Sequence, residues 1–321
     1  MKRNKVILVL LAVLFSATAL TLSGQTSKAD DLPIVCLGTS LTAGQKSGTV
    51  QTLAASLNGD SYQTTTITGA DLVKYLNPSG ANFTTTSGVW SSAMIQKTAA
   101  GSGINVQILN YQSHNNITTI TANQYKNAAL TAGITDANIY VTSAVPIDGS
   151  GALASVYAAY GKTGEHLNQD QVNAAQDEMG ALSKITKENQ DKDGYSDAQL
   201  NNAVAGAKQD MGKIGNNISN SQIQTIVNNQ ININHLGDVI TTNQKQEIVN
   251  FMIEIRDSGA LKDHRFKDQA ATLSKNIEKN AKDIFAKINT TENRNWFQQA
   301  WHNITDFFSH LFGGSAVIRI G

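Results

Sequence analysis

The stretch INVQILNYQSHNNITTITANQYKNAALTAGITDANIYVTSAV, residues 104–145, decides the fold class. Ile104, Val106, Ile108 and Asn110 alternate against polar neighbours up to Tyr111, the period-two pattern of a half-buried strand. From Thr121 to Ala132 the period lengthens. Tyr125, Ala128, Ala129 and Ala132 fall on one helical face, and Gly133 follows as a C-terminal stop. Asn138 to Val145 (NIYVTSAV) is β-rich again and is broken by Pro146 and Gly149. Strand, helix and strand at a spacing of about 30 residues form a βαβ unit with parallel strands.

The flanks extend this pattern. Pro33 to Leu37 (PIVCL) is a short apolar run bounded by Gly38, a buried strand. Thr42 to Leu57 places Val50, Leu53, Ala54 and Leu57 on one helical face; Tyr62 to Ile67 is β-rich; Thr68 to Leu76 and Gly88 to Ala100 read as helices. Gly151 to Tyr160 is an Ala-rich helix. The texture changes near residue 161, beyond which the chain is rich in Asn, Gln and Lys. Gln169–Thr186, Asp197–Met211, Asn217–Asn229, Thr242–Asp257, Asp263–Ile288 and Arg294–Phe312 all read as helices, with Thr242 as an N-cap and Ser258-Gly259 as a stop. The expected fold is an α/β N-terminal domain followed by an all-α helical C-terminal domain. The first, residues 30–161, is a small, mainly parallel sheet of about four strands with packed helices. The second, residues 162–312, ends in an aromatic amphipathic helix, and residues 313–321 form a flexible tail.

The amino end has the layout of a cleavable secretory signal, residues 1–29. Lys2, Arg3 and Lys5 form a basic start, Val6 to Leu22 an uncharged apolar run, and Ser27 and Ala29 the small residues that a signal peptidase reads before Asp30. The apolar run is short for a span, which needs about 20 residues. Cys36 lies well past that run behind Pro33-Ile34-Val35, not in a lipobox, so acylation is not expected. The chain holds 25 basic and 25 acidic residues. Loss of Lys2, Arg3, Lys5 and Lys28 with the leader brings the mature chain to a net charge near −4. No clustered positive charge marks a nucleic-acid partner. With Cys36 the single cysteine, no internal disulfide can form. The expected location is secreted, extracellular or associated with the cell envelope, after cleavage near Ala29.

Several strings approach known chemistry. Ile34 to Gln45 (IVCLGTSLTAGQ) looks like the nucleophile block of GDSL-type esterases, with Thr39 in place of the Asp. Such a serine needs a positioned base, and the candidates miss the Asp-x-x-His spacing: Asp306 and His310 are one residue too far apart, and Asn232 before His235 lacks a carboxylate. Gly38 to Ser47 has five residues between glycines, and Gln45 precedes Lys46, so it is not a P-loop. Asn189, Asp191, Asp193, Gly194 and Asp197 occupy calcium-loop positions, but Leu200 stands where the bidentate Glu belongs; a solvated loop with Ser196 or Asp197 as helix cap is the plainer reading. His114, His166, His235, His264, His302 and His310 show no paired metal spacing. His114 follows a strand and could line a shallow polar site at the sheet's end.

Trp296, Phe297, Trp301, Phe307, Phe308 and Phe312 fall largely on one helical face. That face can pack as core, enter a membrane interface, or dock in a partner's groove. Its polar side, with Arg294, Asp306, His302 and His310, is not basic.

The run Tyr125 to Ile134 (YKNAALTAGI), followed after a strand by Pro146 to Leu153 (PIDGSGAL), resembles the YpuA-like family of exported Gram-positive proteins, a domain-of-unknown-function family. Leu37 to Thr42 (LGTSLT), Gly103 to Val106 (GINV) and His114 to Thr118 (HNNIT, with one Asn more than the family's string) are similar to it as well. The resemblance covers most of residues 33–312 and is strongest in the first half. It implies an extracellular or envelope location and no known reaction. The expected function is therefore a non-enzymatic envelope or extracellular binding protein, with no catalytic, cofactor or metal residues assigned. Its partner would be an envelope component or protein, with membrane contact through Trp296, Phe297, Trp301, Phe307 and Phe308 as a further possibility. The alternative is a secreted hydrolase with Ser40, His114 and Asp148 at the strand ends.

Overall fold

The structure is a computed structural model that describes residues 32–288. The stretch read as a secretory signal, residues 1–29, the aromatic stretch from Arg294 to Phe312 and the tail from residue 313 lie outside the described residues.

Five strands form one sheet: β1 (Ile34–Gly38), β2 (Gln63–Ile67), β3 (Ser91–Lys97), β4 (Ile104–Ile108) and β5 (Ala137–Ser143), in the spatial order β2-β1-β3-β5-β4. The flanking pairs β1–β2 and β4–β5 are parallel, whereas β3 runs antiparallel to both of its neighbours. The sheet is mixed, and the expectation of about four mainly parallel strands is corrected to this extent.

The difference comes from β3, which lies within the segment read as a helix over Gly88–Ala100. Ser91 to Ile95 are all buried. Met94 packs with Val35 and Leu37 on one face of the sheet, while Ala93 and Ile95 join the main core on the other. A strand covered on both faces shows no alternation, and its helix-tolerant Ala and Met then mimic a helical pattern. β4, at the sheet's edge, alternates buried and exposed residues from Ile104 to Gln107, as its sequence predicts.

Helix α1 (Ala43–Ala54) covers one face: Leu53, and Leu57 in the 3-10 turn that follows, bury against Val35, Leu37, Met94 and Tyr140. Each such fully buried aliphatic side chain is worth about 1.5–3 kcal/mol. The opposite face carries α2 (Gly69–Leu76), α3 (Ala122–Thr131) and α4 (Ser150–Lys162). Beyond these lie α5 (Gln169–Asn189), α6 (Asp197–Ile214), α7 (Asn220–Ile233), α8 (Thr242–Asp257) and α9 (Arg265–Asn280). One cluster of buried apolar residues runs from Ile34 to Ile277 and joins the sheet to these helices.

Helix starts follow side-chain chemistry. Thr42, Thr68, Thr121, Ser219 and Thr241 each form a reciprocal capping box with the residue three positions on. Thr241 rather than Thr242 caps α8. Gly133 and Gly259 take φ of 89° and 82° just past α3 and α8, as the sequence predicts for helix stops. The single helix expected over Asp263–Ile288 is divided into α9 and a short α10 (Lys282–Ile288), with Ala281 at the break at φ −117°.

Candidate functional site

The ends of β1, β4 and β5 and the entrance to β3 lie at one end of the sheet. Gly38 closes β1 against the chain entering β3, since a Cβ there would sit 2.3 Å from the Val89 carbonyl oxygen. Gly38 N–H donates to Ser92 Oγ at 3.2 Å. Ser40 clamps the same chain twice: its N–H donates to the Val89 carbonyl at 3.0 Å, and its Oγ accepts from Val89 N–H at 2.9 Å. His114 closes a tight turn with Tyr111, its ring Nδ1 2.9 Å from the Gln112 carbonyl. Asp148 accepts from the Ser150 N–H and hydroxyl at the start of α4. No hydrogen bond or ion pair joins any two of Ser40, His114 and Asp148, so each is accounted for by its own turn.

The calcium-like loop is likewise committed elsewhere. Asn189 donates to the Ile185 carbonyl and accepts from Lys192 Nζ at 2.7 Å, so its side-chain oxygen is already engaged. Asp197 accepts from Thr121 Oγ, Asn123 Nδ2 and Asn201 Nδ2 at 2.9–3.1 Å, and Ser196 is the cap of α6. Desolvation raises the Asp197 carboxyl above the ordinary value against these hydrogen bonds. Among the described residues, no group of three or more His, Cys, Asp or Glu could hold a metal ion.

The distinctive run beginning at Tyr125 is α3, and it has no solvent face: every residue from Gln124 to Thr131 is buried. Its polar side chains must therefore find partners inside the protein. Gln124 donates to Thr186 Oγ at 3.0 Å, Asn127 to Asn201 Oδ1 at 3.0 Å, and Tyr125 OH to the Gly149 carbonyl at 2.5 Å. At the centre, Lys208 Nζ lies 2.6 Å from Glu178 Oε1, both side chains fully buried. The ammonium also donates to the Asn127 carbonyl at 2.8 Å, and Thr131 Oγ donates to Glu178 Oε2 at 2.6 Å. Burial lowers the Lys208 pKa, and Glu178 opposes that shift. This network pins α3 to α5 and α6, with the Lys208 and Glu178 side chains fully buried.

Two hollows flank the turn between α4 and α5, and Glu165 and His166 line both. The smaller, about 150 Å³, holds Tyr160, Thr135, Asp263 and Arg265. The Arg265 guanidinium bonds Asp263 at 2.8 Å and holds its carboxyl below the usual range. The larger is an open cleft of about 560 Å³. Thr65 and Thr66 of β2, Asp71, Lys74 and Tyr75 of α2, and Tyr157 and Lys162 of α4 form its walls. The Tyr75 and Tyr157 rings stand 5.7 Å apart at a tilt of 58°, and Lys74 Nζ lies 4.8 Å from the Tyr75 ring centre. Asp71 is taken by its own helix cap, accepting from Thr68 N–H and Oγ at 2.8 Å, and Glu165 by Lys97 at 2.7 Å. Lys74, Lys162 and His166 make no hydrogen bond or ion pair among the described residues. The sequence reading did not find this cleft. Lys74 and Lys162 each sit in the last turn of a helix, where a cation suits the helix dipole, and nothing in their spacing shows that they converge.

The fold and its cleft define a mixed α/β protein with a helical layer and a polar, open hollow. The chain belongs to the family described as Protein of unknown function (DUF1002), whose model matches residues 37–273. It is similar to the "Uncharacterized protein YpuA" of Bacillus subtilis (strain 168), at 31% identity over 153 residues, 47% of this chain and 50% of that protein. The chain thus spans about half the length of the curated relative it matches. No solved structure matches the chain.

Proposed function

We propose that this chain is an exported, non-enzymatic binding protein of the cell envelope or extracellular space, and that its ligand sits in the cleft beside the α4–α5 turn. The observation that carries the reading is the cleft, an open hollow of about 560 Å³ in which Lys74 and Lys162 have no ion-pair partner among the described residues while Asp71 and Glu165 are hydrogen-bonded elsewhere. Ser40, His114 and Asp148, the alternative hydrolase set, are each held by local partners instead. Export rests on the basic start, apolar run and small residues of positions 1–29. Trp296, Phe297, Trp301, Phe307 and Phe308 would supply a second contact, with a membrane surface or partner, from outside the described residues.

The test plugs the cleft. Gly161 lines it, and a Cβ there meets no atom within 4 Å, so Gly161→Trp fills the hollow without disturbing the core. The purified protein is expected to bind envelope fragments and Gly161→Trp to lose that binding. Protein recovered from the expressing cells should begin near Asp30 on amino-terminal sequencing. Envelope binding unaffected by Gly161→Trp, or an intact Met1 on protein confined to the cytosol, would overturn the proposal.

A further inference from the structure

We infer that the cleft takes a phosphate-bearing ligand, with Lys74 and Lys162 as its two cationic jaws. This deepens the reading of the cleft as the binding site and rests on it. The charges decide the ligand's sign. Glu165 is neutralised by its 2.7 Å pair with Lys97, while Asp71 keeps its charge but turns Oδ2 to the Thr68 cap of α2. That leaves the ammonium groups of Lys74 and Lys162 without an anionic partner among the described residues. With Glu165 neutralised by Lys97, two lysines face one remaining carboxylate, so the wall carries a single surplus positive charge in a chain whose mature form is acidic.

The kind of cation narrows the anion. Both groups are lysines, and among the described residues the cleft wall holds no arginine fork of the kind that grips a planar carboxylate two-handed. Lysine acts as a point charge with three rotating donors, which suits a tetrahedral oxyanion approached from any side. Thr65, in register with Cys36 on the sheet face that carries α2 and α4, adds a hydroxyl donor on β2, which is an edge strand of the sheet. The hollow exceeds what a bare phosphate needs, and the half-buried Tyr75 ring gives its organic remainder an apolar wall. The ligand class is therefore a phosphate ester, either free or as a lipid headgroup.

Calorimetric titration of the purified protein with inorganic phosphate and with glycerol phosphate, and sedimentation with vesicles of phosphatidylglycerol and phosphatidylcholine in equal parts, separate the two sources. At least one probe is expected to bind, more weakly as salt rises. Lys74→Gln and Lys162→Gln should each weaken binding about tenfold, the loss of one charge-assisted hydrogen bond. Lys46→Gln, on the exposed side of α1, should leave it unchanged. Binding of glycerol phosphate with silent vesicles assigns a soluble ester, and the converse a headgroup. Silence from all three probes, or binding indifferent to both lysine changes, overturns the inference. If Gly161→Trp blocks envelope binding while the lysine changes do not, the phosphate is wrong and the cleft stands. If envelope binding survives Gly161→Trp, the cleft itself is wrong.

Discussion

Lys208 and Glu178 illustrate the demands of a fully buried charge. Each offsets the other's desolvation, and Asn127 and Thr131 satisfy what the pair leaves open. Lys208→Met strands a carboxylate in the core and should cost about 3–5 kcal/mol in chemical denaturation. The double change Lys208→Met, Glu178→Leu should recover most of that loss; a double variant no better than the single one would show that the pair is not coupled. Cys36 is the other residue with a sharp expectation. Burial pushes its thiol from 9.0 up to about 12. The folded state then holds the proton more tightly than the unfolded state. The thiol's contribution to stability is whole below 9.0 and is lost as pH rises from there towards 12. Cys36→Ala should flatten that alkaline decline, and iodoacetamide should label the native protein only on unfolding. The sequence shows Cys36 as an unpaired cysteine inside an apolar run, from which its burial could be read, but nothing in it shows that Lys208 and Glu178 meet.

At the scale of elements, Gly149 sets the start of α4. Its φ of 109° places it in the left-handed region, and its carbonyl accepts the Tyr125 hydroxyl. A Cβ there would lie 2.7 Å from both Ile117 Cγ2 and Tyr125 Oη. Gly149→Ala should therefore lose about 2 kcal/mol or more, from backbone strain together with the clash. A melting temperature equal to the parent's would refute this. The elements legible in the sequence were those with one wet face or a clear cap, such as α1, α2, α8 and β4. β3 was misread because its dry faces carry Ser, Ala and Met, whereas β1 and β5, equally dry, are rich in the Ile, Val, Tyr and Thr that mark a strand. The division of α9 from α10 was missed because Ala281 carries no breaker signal. The cleft was illegible for a related reason: its walls come from β2, α2 and α4, and each lysine reads alone as an ordinary helix end.

Across the molecule, the core does not stop where the sequence changes texture near residue 161. α4 ends at Lys162, and the same apolar cluster continues through Val172, Leu200 and Phe251 to Ile277. The described residues should accordingly unfold in one transition, with far-ultraviolet circular dichroism and tyrosine fluorescence superimposing. Two separated transitions would show that the helical layer stands alone. The sheet's centre carries a further consequence. β3 has its longest register with β5, from Ser91–Ser143 to Lys97–Ala137. A nascent chain leaves the ribosome with β1, β2 and β3 made and that partner still missing, so an apolar ribbon waits with one side unzipped until residue 143 emerges. On the export route proposed for this chain, that delay would be useful: a sheet that cannot close early stays threadable, and a chaperone has an obvious strip to hold.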